Sequence, residues 1–465
     1  MTFPSALHQL PSGTSEAIAF IASLDQCFLT GFANLDNQHQ ETLGSCDRIF
    51  TGTPLQQPLS EAIAAIQRNE FVEHHFAVLA AARASLHGSL FDTLQQQARD
   101  ALGRATIPDV MVEPEASEPP VQLPVLLESI RHWLMEIALV GFARLTATTL
   151  TPFLATLEQI QAEPLLVRQA ALLTGFFNEL ISLVPIADSS AIPLYRWVDL
   201  WTQAMVGALR PSLPHPATNV SGSLDLLGLD LRHHANFVSF TAYGLLTSDT
   251  QTQVVRVTMS AYKVDAIGGN EIWLLFPDAA PLLDALAQNQ SLHLTNTPML
   301  PTGDILWTGS AKVGDKYDLM AKATEFFAPN APKAFNPCLI HPALRHPVQL
   351  SEPVFLESYT IEKDQDTLTL SWGESGKLQV ATERISPLSE ITREAIASST
   401  QLFGLLRFDA GHFSVQPLAI TVQPAKGKPK TIFTSQTAAN ILKKPPKTST
   451  VTILQERASR LLRKR

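Results

Sequence analysis

Residues 194–214 read LYRWVDLWTQAMVGALRPSLP, and the chain changes class inside them. Leu194, Trp197, Val198, Trp201, Met205 and Ala208 fall at the spacing that lays one apolar stripe along a helix. Pro211-Ser212-Leu213-Pro214 then removes backbone donors and fixes φ, so the helix cannot continue. Further on the period falls to two. Val255, Val257, Met259 and Ala261 alternate with Arg256, Thr258, Ser260 and Tyr262, as a half-buried strand requires. Helices before the break and strands after it predict a multidomain α+β chain.

Upstream, the 194–208 helix closes a unit spanning 125–214. Its first helix covers Val125 to Leu145, with Leu127, Ile130, Leu134, Ile137 and Gly141 on one face. Thr151-Pro152 supplies a cap and a first-turn proline for the next, which carries Phe153, Leu157 and Ile160. Pro164 opens the third, with Leu165, Leu172, Phe176, Leu180 and Val184 in register. Short joints between four helices predict a bundle or short solenoid, without a strict sequence repeat. Residues 106–124 hold five prolines and four acids and read as an extended linker. Before it, residues 1–105 form another helical domain. It has a short helix from Glu16 to Leu24 and a helix opened by Ser60-Glu61. After a break at Gly88-Ser89, Leu90, Leu94, Ala98 and Leu102 line a last helix.

Downstream, residues 215–350 read as an α+β domain. Asn236 to Leu246 pairs with the 255–262 strand as a hairpin across Thr247–Thr252. Glu271 to Phe276, Leu292 to Leu294 and Ile305 to Thr308 read as strands, and Pro281 to Ala287 and Tyr317 to Phe327 as helices. In 351–425, strands at 353–361, 366–372 and 377–382, a helix at 388–398, and strands at 402–408 and 412–422 follow the order of a small five-stranded OB-like barrel.

Charge is distributed unevenly. Residues 426–465 contain eleven Lys or Arg and one acid, Glu456, a net of +10. The chain has 34 basic and 43 acidic residues, so residues 1–425 keep 23 and 42, a net of −19. A basic tail on an acidic body either folds back or seeks an anionic partner. Lys and Pro in 426–448 suggest a mobile strap. Residues 450–465 read as a terminal helix with Ile453, Leu454, Ala458, Leu461 and Leu462 on one face, and Arg457, Arg460, Arg463, Lys464 and Arg465 around it. This helix and the Trp197/Trp201 stripe are the candidate partner-binding elements. Nucleic acid is a further possible target of the tail, although residues 353–422 contain nine acids and only five bases.

Catalytic fingerprints are weak. Gly309 to Lys316 and Gly373 to Lys377 each lack part of a phosphate-binding loop. Cys27, Cys46 and Cys338 form neither a disulfide framework nor a thiolate pair. Glu70 and His74 stand one helical turn apart and are the candidate metal ligands, against the commoner reading as core or surface histidines. Asp230, Arg232, His233 and His234 would form an acid–base cluster for a hydrolase in the 225–262 region, against the solvent side of a half-buried sheet. No cofactor is called for. The first residues lack a signal peptide, and Glu128, Arg131, Glu136 and Arg144 break the most apolar stretch, so a cytoplasmic location is expected.

Arg196-Trp197-Val198-Asp199-Leu200-Trp201, the β-rich second half, and the hairpin from Phe403-Gly404-Leu405-Leu406-Arg407 to Gln416-Pro417-Leu418-Ala419 carry a family resemblance. The chain resembles uncharacterised bacterial accessory proteins encoded beside MoxR-type AAA ATPases and von Willebrand A-domain proteins. The resemblance contains no active-site motif. It implies a non-catalytic adaptor in an ATPase-driven chaperone or conflict system, with protein partners that include an AAA ATPase.

Overall fold

The computed structural model describes residues 3–107, 123–209, 217–234, 236–365, 367–424, 426–446 and 448–462. A helical half precedes a β-rich half. The helices are α1 (Phe3–His8), α2 (Thr14–Thr30), α3 (Asn37–Ile49), α4 (Gln56–Gln67), α5 (Glu73–Ala101), α6 (Leu123–Val140), α7 (Ala147–Leu150), α8 (Leu154–Ala162), α9 (Val167–Leu183) and α10 (Leu194–Gly207). Residues of α2–α5 and of α6–α10 share one continuous apolar core, so the two expected helical units are packed as one body.

That body contains an internal repeat of seven residues that the sequence reading missed. Leu29-Thr30-Gly31-Phe32-Ala33-Asn34-Leu35 and Leu139-Val140-Gly141-Phe142-Ala143-Arg144-Leu145 have the same structure. Each glycine ends a helix with positive φ, +90° and +84°, and leads into a single 3₁₀ turn. Asp36 and Thr146 then cap the helices that follow. The glycines meet face to face. A Cβ on Gly31 would lie 2.5 Å from the carbonyl oxygens of Leu139 and Val140, and one on Gly141 would lie 2.4 Å from the Gly31 nitrogen. The ring contacts repeat as well: Phe32 stands edge-on to Phe76 of α5, and Phe142 edge-on to Trp197 of α10, each with centroids 5.3 Å apart.

The β-half contains two sheets. The first has order β3-β2-β1-β4-β5, from β1 (Thr218–His233), β2 (Phe237–Thr247), β3 (Thr252–Tyr262), β4 (Gln290–Met299) and β5 (Lys312–Lys316). Helices α11 (Ala280–Gln288) and α12 (Leu319–Phe327) pack on it. The second contains β6 (Glu352–Glu357), β7 (Thr360–Asp364), β8 (Thr367–Ser371), β9 (Lys377–Val380), β10 (Ser399–Asp409), β11 (His412–Val422) and β12 (Lys430–Phe433). A short α13 (Arg393–Ile396) precedes β10, and α14 (Gln436–Lys443) and α15 (Thr450–Leu462) end the described chain. Phe355, Phe403, Leu405, Leu418 and Ala419 turn one face of the second sheet into the core of the first. The sheets approach closely at Gly228, where a Cβ would fall 2.6 Å from that of Leu418. The opposite face, with Val354, Leu402, Leu406 and Val415, packs on Phe91, Leu94 and Ala98 of α5 and on Leu102 just after it.

The predicted hairpin is present, with Phe237 opposite Tyr262 and Thr247 opposite Thr252. Other expectations are corrected. The second sheet is open rather than a closed barrel: its path runs β6-β10-β11-β9-β8-β7, with β12 also on β11. The expected 353–361 strand breaks at Ser358, which has φ of +57°, into β6 and β7. Glu271 to Phe276 is a 3₁₀ segment, Gly269–Leu275, that turns Ile272 and Trp273 into the core. A short apolar run between glycines and a proline is ambiguous by period alone. Of 305–308, Ile305 forms only an isolated bridge to Met299. The 388–398 helix shrinks to α13. Gly88 does not interrupt α5, which runs unbroken for 29 residues. A lone glycine costs about 1 kcal/mol in a helix, and two cores hold this one. The strap expected over 426–448 is folded onto the body through β12 and α14. Among the described residues, no helix is long and apolar enough to cross a membrane.

Candidate functional site

Of the expected hydrolase cluster, the structure brings Arg232 to Asp230 and leaves His233 and His234 exposed. Asp230 on β1 is buried, and both carboxylate oxygens are engaged. Oδ1 accepts from Gln416 Nε2 at 2.8 Å, and Oδ2 accepts from Arg407 Nη2 at 3.3 Å and from Arg232 Nε at 3.2 Å. Arg407 is fully buried between the sheets and also donates to the Leu350 carbonyl. Asp230 is thus the counter-ion of a buried arginine. Arg232, His233 and His234 lie exposed at the strand end.

The expected metal pair does not share a helical turn, because Glu70 lies outside α5. Glu70 precedes the first turn of α5 and forms an exposed ion pair with Arg68 at 2.8 Å. His74 is exposed on α5. Trp197 and Trp201 are completely buried, and Trp201 Nε1 donates to the Leu134 carbonyl at 2.8 Å. Neither indole can meet a partner.

A different polar cluster joins the two halves. Arg83 of α5 donates through Nε and Nη2 to the two oxygens of Asp25 on α2, both at 2.8 Å. Its Nη1 reaches Asp199 Oδ1 of α10 at 2.6 Å and Thr202 Oγ1 at 3.3 Å. His346, in the segment that leads to the second sheet, places Nε2 3.4 Å from Asp199 Oδ2 and stacks on His87 of α5 with centroids 4.0 Å apart. Burial, helped by the Arg83 charge, pushes the His87 imidazole down to about 2, so the ring is neutral. Burial works to raise the Asp199 carboxyl, but the His346 hydrogen bond and the Arg83 charge outweigh it and hold the group well below the usual range.

His87, Asp199 and His346 offer ligand atoms within 4.8 Å of one another. Three features oppose a cation there. The rings are only 24° from parallel, so their in-plane lone pairs run side by side instead of meeting at one point. His346 Nδ1 accepts from the Val348 N–H at 3.2 Å, which leaves the proton on Nε2, facing Asp199. The Arg83 guanidinium already neutralises Asp199 Oδ1. The arrangement suits a buried structural clasp.

The C-terminal segment is the remaining candidate. β12 extends β11 from Ala419 opposite Phe433 to Val422 opposite Lys430. In α14, Ala438 and Ala439 enter the β-half core, and Lys443 Nζ lies 2.5 Å from Asp284 Oδ1 on α11. The start of α15 is then fixed. The Thr450 N–H donates to Glu271 Oε2 at 3.0 Å, the Thr452 N–H donates to Ser449 Oγ at 3.0 Å, and Val451 is buried. From Thr452 to Arg460 every residue whose side chain is described is exposed, including Ile453, Leu454, Arg457 and Arg460. Glu456 lies 3.8 Å from Arg460. The Leu461 backbone is helical, while Arg463, Lys464 and Arg465 lie outside the described residues.

The chain matches no protein-family profile and no curated protein.

Proposed function

We propose that this protein is a non-catalytic scaffold or adaptor that presents α15 to a protein partner. The observation that carries the reading is a 13-residue amphipathic helix anchored at its first turn, with every described side chain from Thr452 to Arg460 exposed. Isolated helices of this length are marginal in water, and a bound face would supply the missing stabilisation. The polar clusters support the reading by their ordinary chemistry: each buried acid already has a basic or hydrogen-bonding neighbour. The family resemblance supplies a setting, an AAA ATPase-driven assembly.

The test compares the full chain with a chain ending at Thr452, which keeps Val451 and both hydrogen bonds at the start of α15. Both versions should share one melting temperature. Only the full chain should cross-link through its last residues to a partner from its source cell. Equal cross-linking by both would remove α15 from the reading. Retention on DNA by the full chain alone, with a steep loss in salt, would instead favour nucleic acid.

A further inference from the structure

Building on the adaptor reading, we infer that α15 pairs with an acidic amphipathic helix of its partner. The apolar seam sets the mode. Val451, Leu454 and Ala458 follow a three-then-four spacing, and Leu461 continues it in the sequence. The seam begins on the body, where Val451 is seated, and runs outward through exposed Leu454 and Ala458. Thr452, Glu456 and Ser459 occupy the opposite side. A narrow seam interrupted by an alanine accepts the ridge of another helix. It is a poor fit to a bilayer surface, which favours a broad face with Trp, Phe and Leu; residues 450–465 contain no aromatic residue.

Charge sets the partner. With Val451 and Leu454 as the first two seam positions, Arg457 borders the seam, and Lys464 occupies the equivalent place one heptad later in the sequence. The other border holds Gln455 and Leu462. Antiparallel copies of α15 would set basic border against basic border, and parallel copies would set it against uncharged Gln455 and Leu462, so self-pairing supplies no acid in either orientation. Glu or Asp on a facing helix would meet Arg457 in either orientation. Residues 1–425 carry a net −19, so an extended anionic surface, bilayer or DNA, would repel the body that α15 projects from. A single acidic helix engages the arm alone.

The experiment measures binding of the full chain to four probes by fluorescence anisotropy. These are a three-heptad peptide with Ile and Leu in the seam and Glu on both borders, its Lys-bordered twin, phosphatidylglycerol vesicles, and duplex DNA. The Glu peptide should bind about tenfold or more tightly than its twin. Leu454→Asp should weaken that binding at least about tenfold, because it removes a buried leucine contact. Arg457→Glu with Arg460→Glu should shift preference to the Lys peptide. The melting temperature should not change in either variant. Stronger binding to vesicles or DNA, or Glu-peptide binding that survives truncation at Thr452, would overturn the inference. If cross-linking to a cellular partner needs residues 453–465 but the Glu peptide does not bind, the adaptor reading stands and the acidic-helix partner falls.

Discussion

His87 has both ring nitrogens buried without a hydrogen-bond partner. Its folded-state value lies near 2, below the ordinary value of about 6.5, so the unfolded chain takes up a proton that the folded chain refuses. Stability therefore falls as pH drops below about 6.5, by up to about 1.4 kcal/mol per pH unit for this group. Asp199 acts in the same direction lower down: its depressed carboxyl contributes above about pH 4, and the contribution is lost as pH falls toward the folded value. Urea unfolding from pH 7 to pH 5 should show a downward slope that His87→Phe reduces, since Phe keeps the stack on His346 without a titratable nitrogen. Equal slopes in both proteins would mean that the ring is not held neutral. Asp230 provides the second residue-scale expectation. Asp230→Ala leaves Arg407 buried without its carboxylate and should cost about 3–5 kcal/mol, whereas Asp230→Leu with Arg407→Met should recover most of that loss. Chemical denaturation of the three variants decides it. These residues also show what a linear reading hides. Asp25, Arg83, Asp199 and His346 come from four distant stretches, and no local spacing marks their meeting. Asp230 was visible as an acid near histidines, but its true neighbour, Arg407, is 177 positions away.

At the scale of elements, periodicity was informative where one face of a segment is buried. The Trp197 stripe and the β2–β3 alternation could be read directly from the chain. It was less informative for β10 and β11, which are covered on both faces and read as nearly continuous apolar runs. The repeat was legible in Leu-x-Gly-Phe-Ala-x-Leu at 29–35 and 139–145, but its identities stop there and the flanking helices differ in length. The paired glycines carry the clearest element-scale prediction. Their φ near +90° and ψ near 140° suit glycine alone, and an added methyl would overlap the opposing backbone. Gly31→Ala or Gly141→Ala should each destabilise the helical half by about 2–4 kcal/mol, combining overpacking with backbone strain. Gly88→Ala, in open space within α5, should be neutral or stabilising by up to about 1 kcal/mol. Thermal unfolding of the three variants checks the order.

For the whole molecule, the two halves are joined by helix packing and buried ions, with the exposed tail helix at one end. Glu352 on β6 accepts from Arg99 Nη1 at 2.8 Å, in the last turn of α5, and from Arg104 Nη1 at 2.6 Å, just beyond that helix. Arg104 also donates to the carbonyls of Pro353 and Phe327. Glu352→Ala strands two buried guanidinium groups and should cost at least about 3 kcal/mol. Because α5 belongs to both the helical core and the second-sheet core, the loss should appear as a lower midpoint of one shared transition. Calorimetry that resolves two separate transitions would contradict that coupling. The charge imbalance was legible from composition. Its disposition was not: Phe433, Ala438 and Ala439 bring much of the basic tail into the core and leave α15 as the projecting part.

The 29 residues of α5 form a rod of roughly 43 Å at 1.5 Å per residue, with its two ends set in different cores. Such a rod leaves no joint at Gly88 where the halves could swivel. A pull or twist applied through a gripped C-terminus would travel along this girder into the helical half, and the chain would answer as one lever rather than as beads on a string.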